Sequence, residues 1–238
     1  FSFGEIMKKF GVLIFIIALF IGVSLAGIFS FGKISSRIFN ISINHGEKGS
    51  GNIVTEKREV SEFRAVDVGG AFVVEITAQK DYSLEVEADD NILPLIKTEF
   101  DGETLKIKTD VKISSSNPVK IRISAPDVEN LQISGASKVS IVNLDNELLN
   151  VDLSGASKIN CEGQTKNLMI DMSGASSLDG ENLKAENVSI EASGASKATV
   201  FAKNELKADL SGASKVIYFA NPTNIEKKTS GASSIVGK

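Results

Sequence analysis

Apolar and polar residues alternate with a period of two along much of the chain after residue 57. The alternation is clear in four short stretches, 72–76, 84–88, 105–109 and 119–123. This pattern is typical of a β-strand that buries one face, and Asp101-Gly102 between two of the stretches indicates a turn. No stretch after residue 40 has a sustained helical spacing of apolar residues. The pattern therefore predicts an all-β body.

A short motif, Ser-Gly-Ala-Ser, recurs six times at intervals of 18 to 20 residues. The copies begin at Ser134, Ser154, Ser173, Ser193, Ser211 and Ser230. Apolar, polar and apolar residues precede most copies, and an apolar residue stands five positions after the first serine. A fixed period near 19 residues indicates a solenoid in which each repeat forms one coil. We therefore predict a parallel β-helix, or β-solenoid, closed at its end by the polar residues Lys227, Lys228 and Thr229.

The second position of every motif is a glycine. These glycines are Gly135, Gly155, Gly174, Gly194, Gly212 and Gly231. Identical turns stacked at the spacing of β-strands leave room for small residues alone, and glycine also permits a positive φ. We expect the serine hydroxyls to satisfy backbone amides of the turn. The glycines are thus predicted to be structural turn residues.

Charged residues recur at two positions of the repeat. Two residues before the first serine stand Asp152, Asp171, Glu191 and Asp209, and four residues after it stand Lys138, Lys158, Lys197 and Lys215. We call these sets the acidic ladder and the lysine ladder. Both are expected to be exposed and to keep the solenoid soluble, with ion pairs such as Asp152 with Lys158 and Asp209 with Lys215. A second hypothesis is that the ladders bind an anionic polymer or a mineral surface.

The N-terminal part of the chain has a different character. Residues 10–31 are a run of 22 uncharged residues directly after Lys8 and Lys9. At a rise of about 1.5 Å per residue, a helix of this length crosses a bilayer core of about 30 Å. We predict one transmembrane signal anchor within residues 1–32, in the cytoplasmic membrane, with the body exported. The small residues Ser24 and Ala26 also fit a signal-peptidase site, so the alternative is cleavage near Ala26 followed by secretion.

The rest of the chain divides by composition. Residues 33–57, which hold several Gly, Ser and Asn, are predicted to be a polar tether. Residues 58–238 are predicted to form the solenoid, with irregular first coils in 58–127 and regular repeats in 128–238.

The composition excludes several classes of function. The chain has one Cys, one His and a net charge of −4, so it offers neither a cysteine-rich metal site nor a basic face for nucleic acid. We expect no cofactor, no metal and no catalytic residue. Asp89, Asp90 and Asn91 are expected to form a turn rather than a metal site, Cys161 to fill the core, and His45 to be solvated. A polysaccharide lyase built on the repeats would need clustered cationic side chains there, but all four Arg precede the repeats.

Three parts of the sequence resemble the bacterial head GIN domain family, described as "putative auto-transporter adhesin". They are residues 63–76, residues 87–94 with the motif Ala-Asp-Asp-Asn, and the six repeats. The resemblance covers residues 60–235 approximately. It implies a right-handed parallel β-helix similar to pectin-lyase-like folds, no established catalytic residues, and a role in cell adhesion. The expected partners are the membrane and a surface glycan, a matrix protein or another envelope protein. A β-helix that processes or binds polysaccharide and an envelope scaffold or sensor remain alternatives.

Overall fold

The computed structural model of the protein describes residues 46–238. The predicted transmembrane anchor and His45 lie outside the described residues. Within the described part, no helix has the length and apolar character needed to span a membrane. A short 3-10 turn, Leu93–Leu95, is the only helical segment described, and the other elements are strands.

The strands of the described part are numbered in chain order. They are β1 Glu47–Lys48, β2 Ile53–Arg58, β3 Ala65–Gly70, β4 Val73–Thr77, β5 Ser83–Asp89, β6 Lys97–Asp101, β7 Thr104–Lys108, β8 Ile113–Ser114, β9 Lys120–Ser124, β10 Asn130–Gly135, β11 Lys138–Leu153, β12 Lys158–Met172, β13 Ser177–Ala192, β14 Lys197–Leu210, β15 Lys215–Phe219, β16 Asn224–Thr229 and β17 Ser234–Gly237.

The strands stack in parallel and wrap around one apolar core. The strands that precede the Ser-Gly-Ala-Ser corners form a first wall, in the order β7-β3-β10-β11-β12-β13-β14-β16. The strands that follow the corners form a second wall, in the order β9-β4-β11-β12-β13-β14-β15-β17. Each of the strands β11 to β14 bends at its middle, and the middle part forms a third, narrow side of the solenoid. The two ends of each strand therefore belong to different walls. The predicted all-β solenoid is confirmed.

Inward-facing positions line up from coil to coil and fill the core. One column on the first wall consists of Leu131, Val151, Ile170, Ile190 and Ala208, each at most 4% exposed. Neighbouring strands lie about 4.8 Å apart, so apolar side chains in such a column contact one another directly. The repeated apolar position of the sequence is therefore what holds adjacent coils together.

The coil that contains β3 and β4 occupies a place in the stack that does not follow the order of the chain. Strand β3 pairs with β10 on one side and with β7 on the other, and β4 likewise lies between β11 and β9. The register places Gly69 beside Ser134 and Gly70 beside Gly135. Residues 69–72 therefore form a seventh corner, Gly-Gly-Ala-Phe, which the search for Ser-Gly-Ala-Ser missed.

Antiparallel strands cover the N-terminal end of the stack. Strand β5 joins β9 to β2 on the second wall, and β6 pairs with β7 on the first. Below them the ring of Phe63 lies 5.2 Å from that of Tyr82 and 6.3 Å from that of Phe100. At the other end β16 is exposed throughout, and the Lys227 ammonium lies 4.6 Å from the centre of the Tyr218 ring.

Candidate functional site

The corner glycines form a closely packed column along one edge of the solenoid. All six have a positive φ, between 70° and 85°. The carbonyl oxygen of the preceding corner's glycine lies 2.4 to 2.6 Å from the place where a Cβ would stand on each of them. A side chain at this position would overlap backbone, which, unlike a flexible side chain, cannot move aside. Glycine is therefore required here by both backbone conformation and space.

The last serine of the corners points into the core and mainly donates to carbonyl groups. The hydroxyl groups of Ser157, Ser196 and Ser233 donate to the carbonyl oxygens of the serines three residues earlier, at 3.0, 2.9 and 2.8 Å. Ser137 differs, because its hydroxyl donates to the Gly70 carbonyl oxygen at 3.1 Å and also accepts a hydrogen bond from the Phe72 amide at 3.1 Å. The expectation that the hydroxyls satisfy turn amides is therefore wrong for most corners. The amides instead donate to backbone carbonyls of the preceding coil, as the Ala175 amide does to the Gly155 carbonyl oxygen at 2.8 Å.

The acidic ladder runs along the outside of the first wall. Asp152, Asp171, Glu191 and Asp209 lie side by side on adjacent strands, in the same register. All four are exposed. Gln132 and Asp67 continue the row on β10 and β3. Partial burial, followed by the charges of Asp171 and Asp67, raises the pKa of Asp152.

Asp152→Asn should stabilise the protein slightly at neutral pH. A raised pKa means that ionisation of Asp152 favours the unfolded chain, so the stability that is present below its ordinary pKa is lost as the pH rises through the raised value. We expect a gain of about 0.5 kcal/mol or less at pH 7, because the group is largely exposed, and no difference at a pH below its ordinary pKa. Urea unfolding at both pH values measures this.

Asp209→Asn is the matched control for that substitution. Asp209 lies in the same ladder but is beside Lys228 on β16, so its charge has a favourable neighbour. A gain in stability for Asp209→Asn as large as that for Asp152→Asn would contradict repulsion within the ladder as the cause.

The lysine ladder lies on the second wall, across the corner from the acidic ladder. Lys138 is beside Lys158 and Lys197 beside Lys215, and Ser177 stands between the two pairs. Within residues 46–238, no residue of either ladder takes part in an ion pair of 4.0 Å or less. The expected pairs of Asp152 with Lys158 and of Asp209 with Lys215 are therefore wrong. The two side chains of each pair leave from different walls, with the corner between them.

Arginine side chains support the N-terminal part of the fold. The Arg58 guanidinium donates to the Ile96 carbonyl oxygen at 2.6 Å and to that of Leu93 at 3.1 Å. Arg122 lies 3.1 Å from Glu87, 3.6 Å from Glu75 and 3.7 Å from Glu85. Hydrogen bonds from Lys120 and Arg122 lower the pKa of Glu87. Both arginines are thus held by groups of the fold.

Asp89, Asp90 and Asn91 form a turn that also binds the N-terminal segment, residues 46–58. The buried Asp89 carboxylate accepts hydrogen bonds from the Gly51 amide at 2.9 Å, from the Asn117 side chain at 3.1 Å and from the Ser115 hydroxyl.

The two neighbours of Asp89 extend this binding. Asp90 accepts from the Ser50 hydroxyl at 2.5 Å and from the Asn52 amide group at 2.9 Å, and Asn91 donates to the Lys48 carbonyl at 2.8 Å. We call residues 46–58 the strap. The tether predicted for 33–57 is therefore too long, since 46–57 are docked on the solenoid.

The described residues contain no group of three side chains of the metal-ligating types placed to hold a metal ion. Cys161 is fully buried in the core, and burial raises the pKa of its thiol to about 12. Such a thiol is protonated at neutral pH and is not a nucleophile.

Two of the shallow grooves on the outside of the regular coils are large enough to hold a small ligand. One, of about 370 Å³, lies on the first wall between Asn150, Asp152, Met169, Asp171 and Glu191, and Met169 is 53% exposed there. The other, of about 590 Å³, lies on the narrow side and crosses four coils. Sequence reasoning missed both as grooves: it identified Asp152, Asp171 and Glu191 of the first only as a charged row, and the second coincides with no repeated motif.

A parallel β-solenoid with stacked glycine corners and charged ladders defines the class of protein. Within that class, residues 62–222 match the model of the family described as "Putative auto-transporter adhesin, head GIN domain". The chain belongs to this family, and the resemblance drawn from the sequence is confirmed.

Solved structures with the same fold are known from Bacteroides and Parabacteroides. The chain is similar to a putative adhesin of Bacteroides fragilis, with 22% identity and a TM-score of 0.67, over 81% of this chain and 100% of that one. It is also similar to a putative adhesin of Parabacteroides merdae, with 14% identity and a TM-score of 0.50, over 81% and 98% of the two chains. At these identities the likeness shows the fold. No curated protein is significantly similar to the chain.

Proposed function

We propose that this chain is a non-enzymatic adhesive protein of the bacterial cell envelope. In this proposal the apolar segment within residues 1–32 anchors it in the cytoplasmic membrane, and the solenoid is exported. The family to which the chain belongs is named for adhesins, which supports the adhesive role. We also propose that the coils wind in the right-handed sense, which parallel connections within one sheet adopt in about 98% of cases.

The observation that carries the proposal is the pair of uncompensated ladders. Like charges on neighbouring strands repel, and within the described part of the chain no ladder residue has an ion-pair partner within 4.0 Å. A partner with regularly spaced opposite charges would relieve this repulsion wherever like charges are neighbours, as at Lys138 with Lys158 and at Lys197 with Lys215. Each contact is weak, about 0–1 kcal/mol, but contacts repeated along a rigid face add up to useful affinity. We propose that the lysine ladder binds an anionic polymer of this kind.

The chemistry of the described residues supports a role in binding rather than catalysis. Arg58 and Arg122 are engaged by the fold, and the Cys161 thiol is buried. A carboxylate pair that cleaves a glycosidic bond needs one acid and one base in different environments. The carboxylates of the acidic ladder instead lie in one register on one outward face, which suits a repetitive contact.

Removing the lysine ladder tests this function. The full chain in detergent, with all four ladder lysines replaced by glutamine, should be retained on alginate beads roughly tenfold less than the unchanged protein. The reason is that alginate carries one carboxylate per sugar and can contact several lysines at once. Salt elution of the bound protein measures the difference.

The matched control replaces four exposed lysines away from the ladder by glutamine: Lys48, Lys57, Lys80 and Lys112. The change of net charge is the same, so this variant should be retained nearly as well as the unchanged chain. Equal retention of the ladder variant and the control variant would remove the ladder from the proposal.

A further inference from the structure

The larger groove of the regular coils lies on the narrow side and is not part of either ladder. It has a volume of about 590 Å³. Its floor includes Thr165 and Ala185, which are small and buried, so the backbone is close to the surface there. Longer side chains rise on both sides of this floor. The groove therefore runs across the strands, along the direction in which the coils stack.

One side of the groove is a row of four residues in β-sheet register. Asp145 is beside Gln164, Gln164 beside Lys184, and Lys184 beside Phe201. Three spacings of about 4.8 Å give the row a length of about 14 Å. The row thus offers an elongated ligand four successive points of contact.

Phe201 is the unusual member of this row. The equivalent positions of the three preceding coils are Asp145, Gln164 and Lys184, and all of these are exposed and polar. Phe201 occupies the same position with its side chain half-buried, and Phe219 follows it on β15. A large apolar side chain on an outward-facing row buries nothing in the core, so it suits contact with a ligand.

Two of the three lysines of the groove carry charges that the fold does not use. Lys166 is held by Glu147 at 2.9 Å. Among the described residues, neither Lys184 nor Lys203 has an ion-pair partner within 4.0 Å. At the opposite end the Asp145 carboxylate accepts a hydrogen bond from Gln164 at 2.8 Å. Glu186 also lines the groove and, after Glu147, contributes to raising the pKa of Lys166. The two groove lysines without an ion-pair partner, Lys184 and Lys203, are those nearest to Phe201 in register or in sequence.

We propose that this groove binds a short oligosaccharide that carries a carboxylate, such as a uronic acid. The apolar face of one sugar ring packs on Phe201, and its carboxylate pairs with Lys184 and Lys203. The hydroxyl groups of the next sugars bond to Gln164 on the row and to Lys166, which stands beyond Thr165 of the floor. An anion without a ring would make no use of the phenyl group, and a neutral sugar would leave both ammonium groups without a partner. The proposal deepens the adhesive function by naming a ligand class, and its site is separate from the ladders.

Binding of a galacturonic acid trisaccharide to the full chain in detergent tests the proposal. Calorimetry or ligand-observed NMR at low salt should show a Kd on the order of 1 mM, as expected for a shallow exposed site. The neutral galactose trisaccharide should bind at least about fivefold more weakly, since it lacks the carboxylate. Lys184→Gln and Lys203→Gln should each weaken binding about 3- to 5-fold. Phe201→Leu keeps an apolar side chain without the ring and should weaken it by a similar factor.

Lys112→Gln is the matched control, because Lys112 is exposed, is not part of the groove lining and lies beside the strap, where its carbonyl oxygen accepts from the Glu47 amide; this variant should bind as the unchanged protein does. The proposal is overturned if the acidic trisaccharide fails to bind at about 10 mM, if the neutral one binds as well, or if the Lys184→Gln, Lys203→Gln double variant binds normally. The lysine-ladder variant should still bind the trisaccharide, because three sugars do not span the ladder. Loss of polymer retention with intact trisaccharide binding, or the reverse, therefore separates the two proposals.

Discussion

Gly174→Ala should destabilise the solenoid by about 3 kcal/mol or more. Gly174 has a φ of +73°, and its added Cβ would lie 2.5 Å from the carbonyl oxygen of Gly155 and 3.1 Å from its nitrogen. Both atoms are backbone of the preceding coil, so relief of the overlap requires moving the two coils apart. Such a movement would also weaken the hydrogen bond from the Ala175 amide to the Gly155 carbonyl, now 2.8 Å long. Urea unfolding followed by circular dichroism measures the loss.

Gly102→Ala separates the two causes of this effect. Gly102 has a similar positive φ of +59°, in the turn between β6 and β7, but no atom lies within 4 Å of its added Cβ. Its replacement should cost about 1 kcal/mol, from backbone conformation alone. If the two variants lost the same stability, contact between stacked corners would not be what requires glycine.

Asp89→Ala should release the strap from the solenoid while the regular coils remain folded. The carboxylate accepts hydrogen bonds from Gly51, Ser115 and Asn117, and the strap passes so close that a Cβ on Gly49 would overlap Asp89 Oδ2. Without the carboxylate these donors are left without a partner in a buried place. We expect amide hydrogen exchange of residues 46–58 to approach that of an unfolded chain, with protection of β11 to β14 unchanged.

Asp110→Ala is the control for Asp89→Ala. Its carboxylate is paired with Lys97 but is 64% exposed, so its loss should leave exchange in the strap as it was. Equal deprotection in both variants, or none in Asp89→Ala, would contradict the role assigned to Asp89.

The same contact should make the strap sensitive to acid. Hydrogen bonds from Ser115, then Asn117, then the Gly51 amide hold the pKa of Asp89 below its ordinary value. The contribution of Asp89 to docking is therefore fully present above the ordinary pKa and is lost as the pH falls through the lowered one. Protection of the strap amides, taken relative to the intrinsic exchange rate at each pH, should fall in that acidic range before the core of the solenoid opens.

The sequence was sufficient for the repeated part of the fold, because each coil is specified locally. The spacing of Ser134, Ser154 and the later corners, with apolar residues at fixed offsets, determines strand, turn and core. The seventh corner escaped detection because Gly69 and Phe72 replace both serines of the motif. Its place in the stack, between coils that come later in the chain, depends on pairing over more than 60 residues and has no local signal.

The candidate sites were less predictable for the same reason. The partners of Asp89 lie 26 to 38 residues away, so the sequence showed a turn but not what it binds. The ladders followed from the period, but the lack of ion pairs between them within the described residues did not, because it depends on the direction in which each wall faces. The groove at Phe201 comes from a single departure within an otherwise polar row, which a repeat alignment treats as variation.

The position of β3 and β4 between later strands sets the order in which the molecule can be completed during its synthesis. Their partners on both sides, β7 and β9 on one and β10 and β11 on the other, are made after them. Strands β3 and β4 must therefore wait, unpaired on one side, until residues up to about 142 have emerged. From that point every new coil meets a finished template, and the molecule grows at one end as fast as the ribosome or the export channel supplies chain.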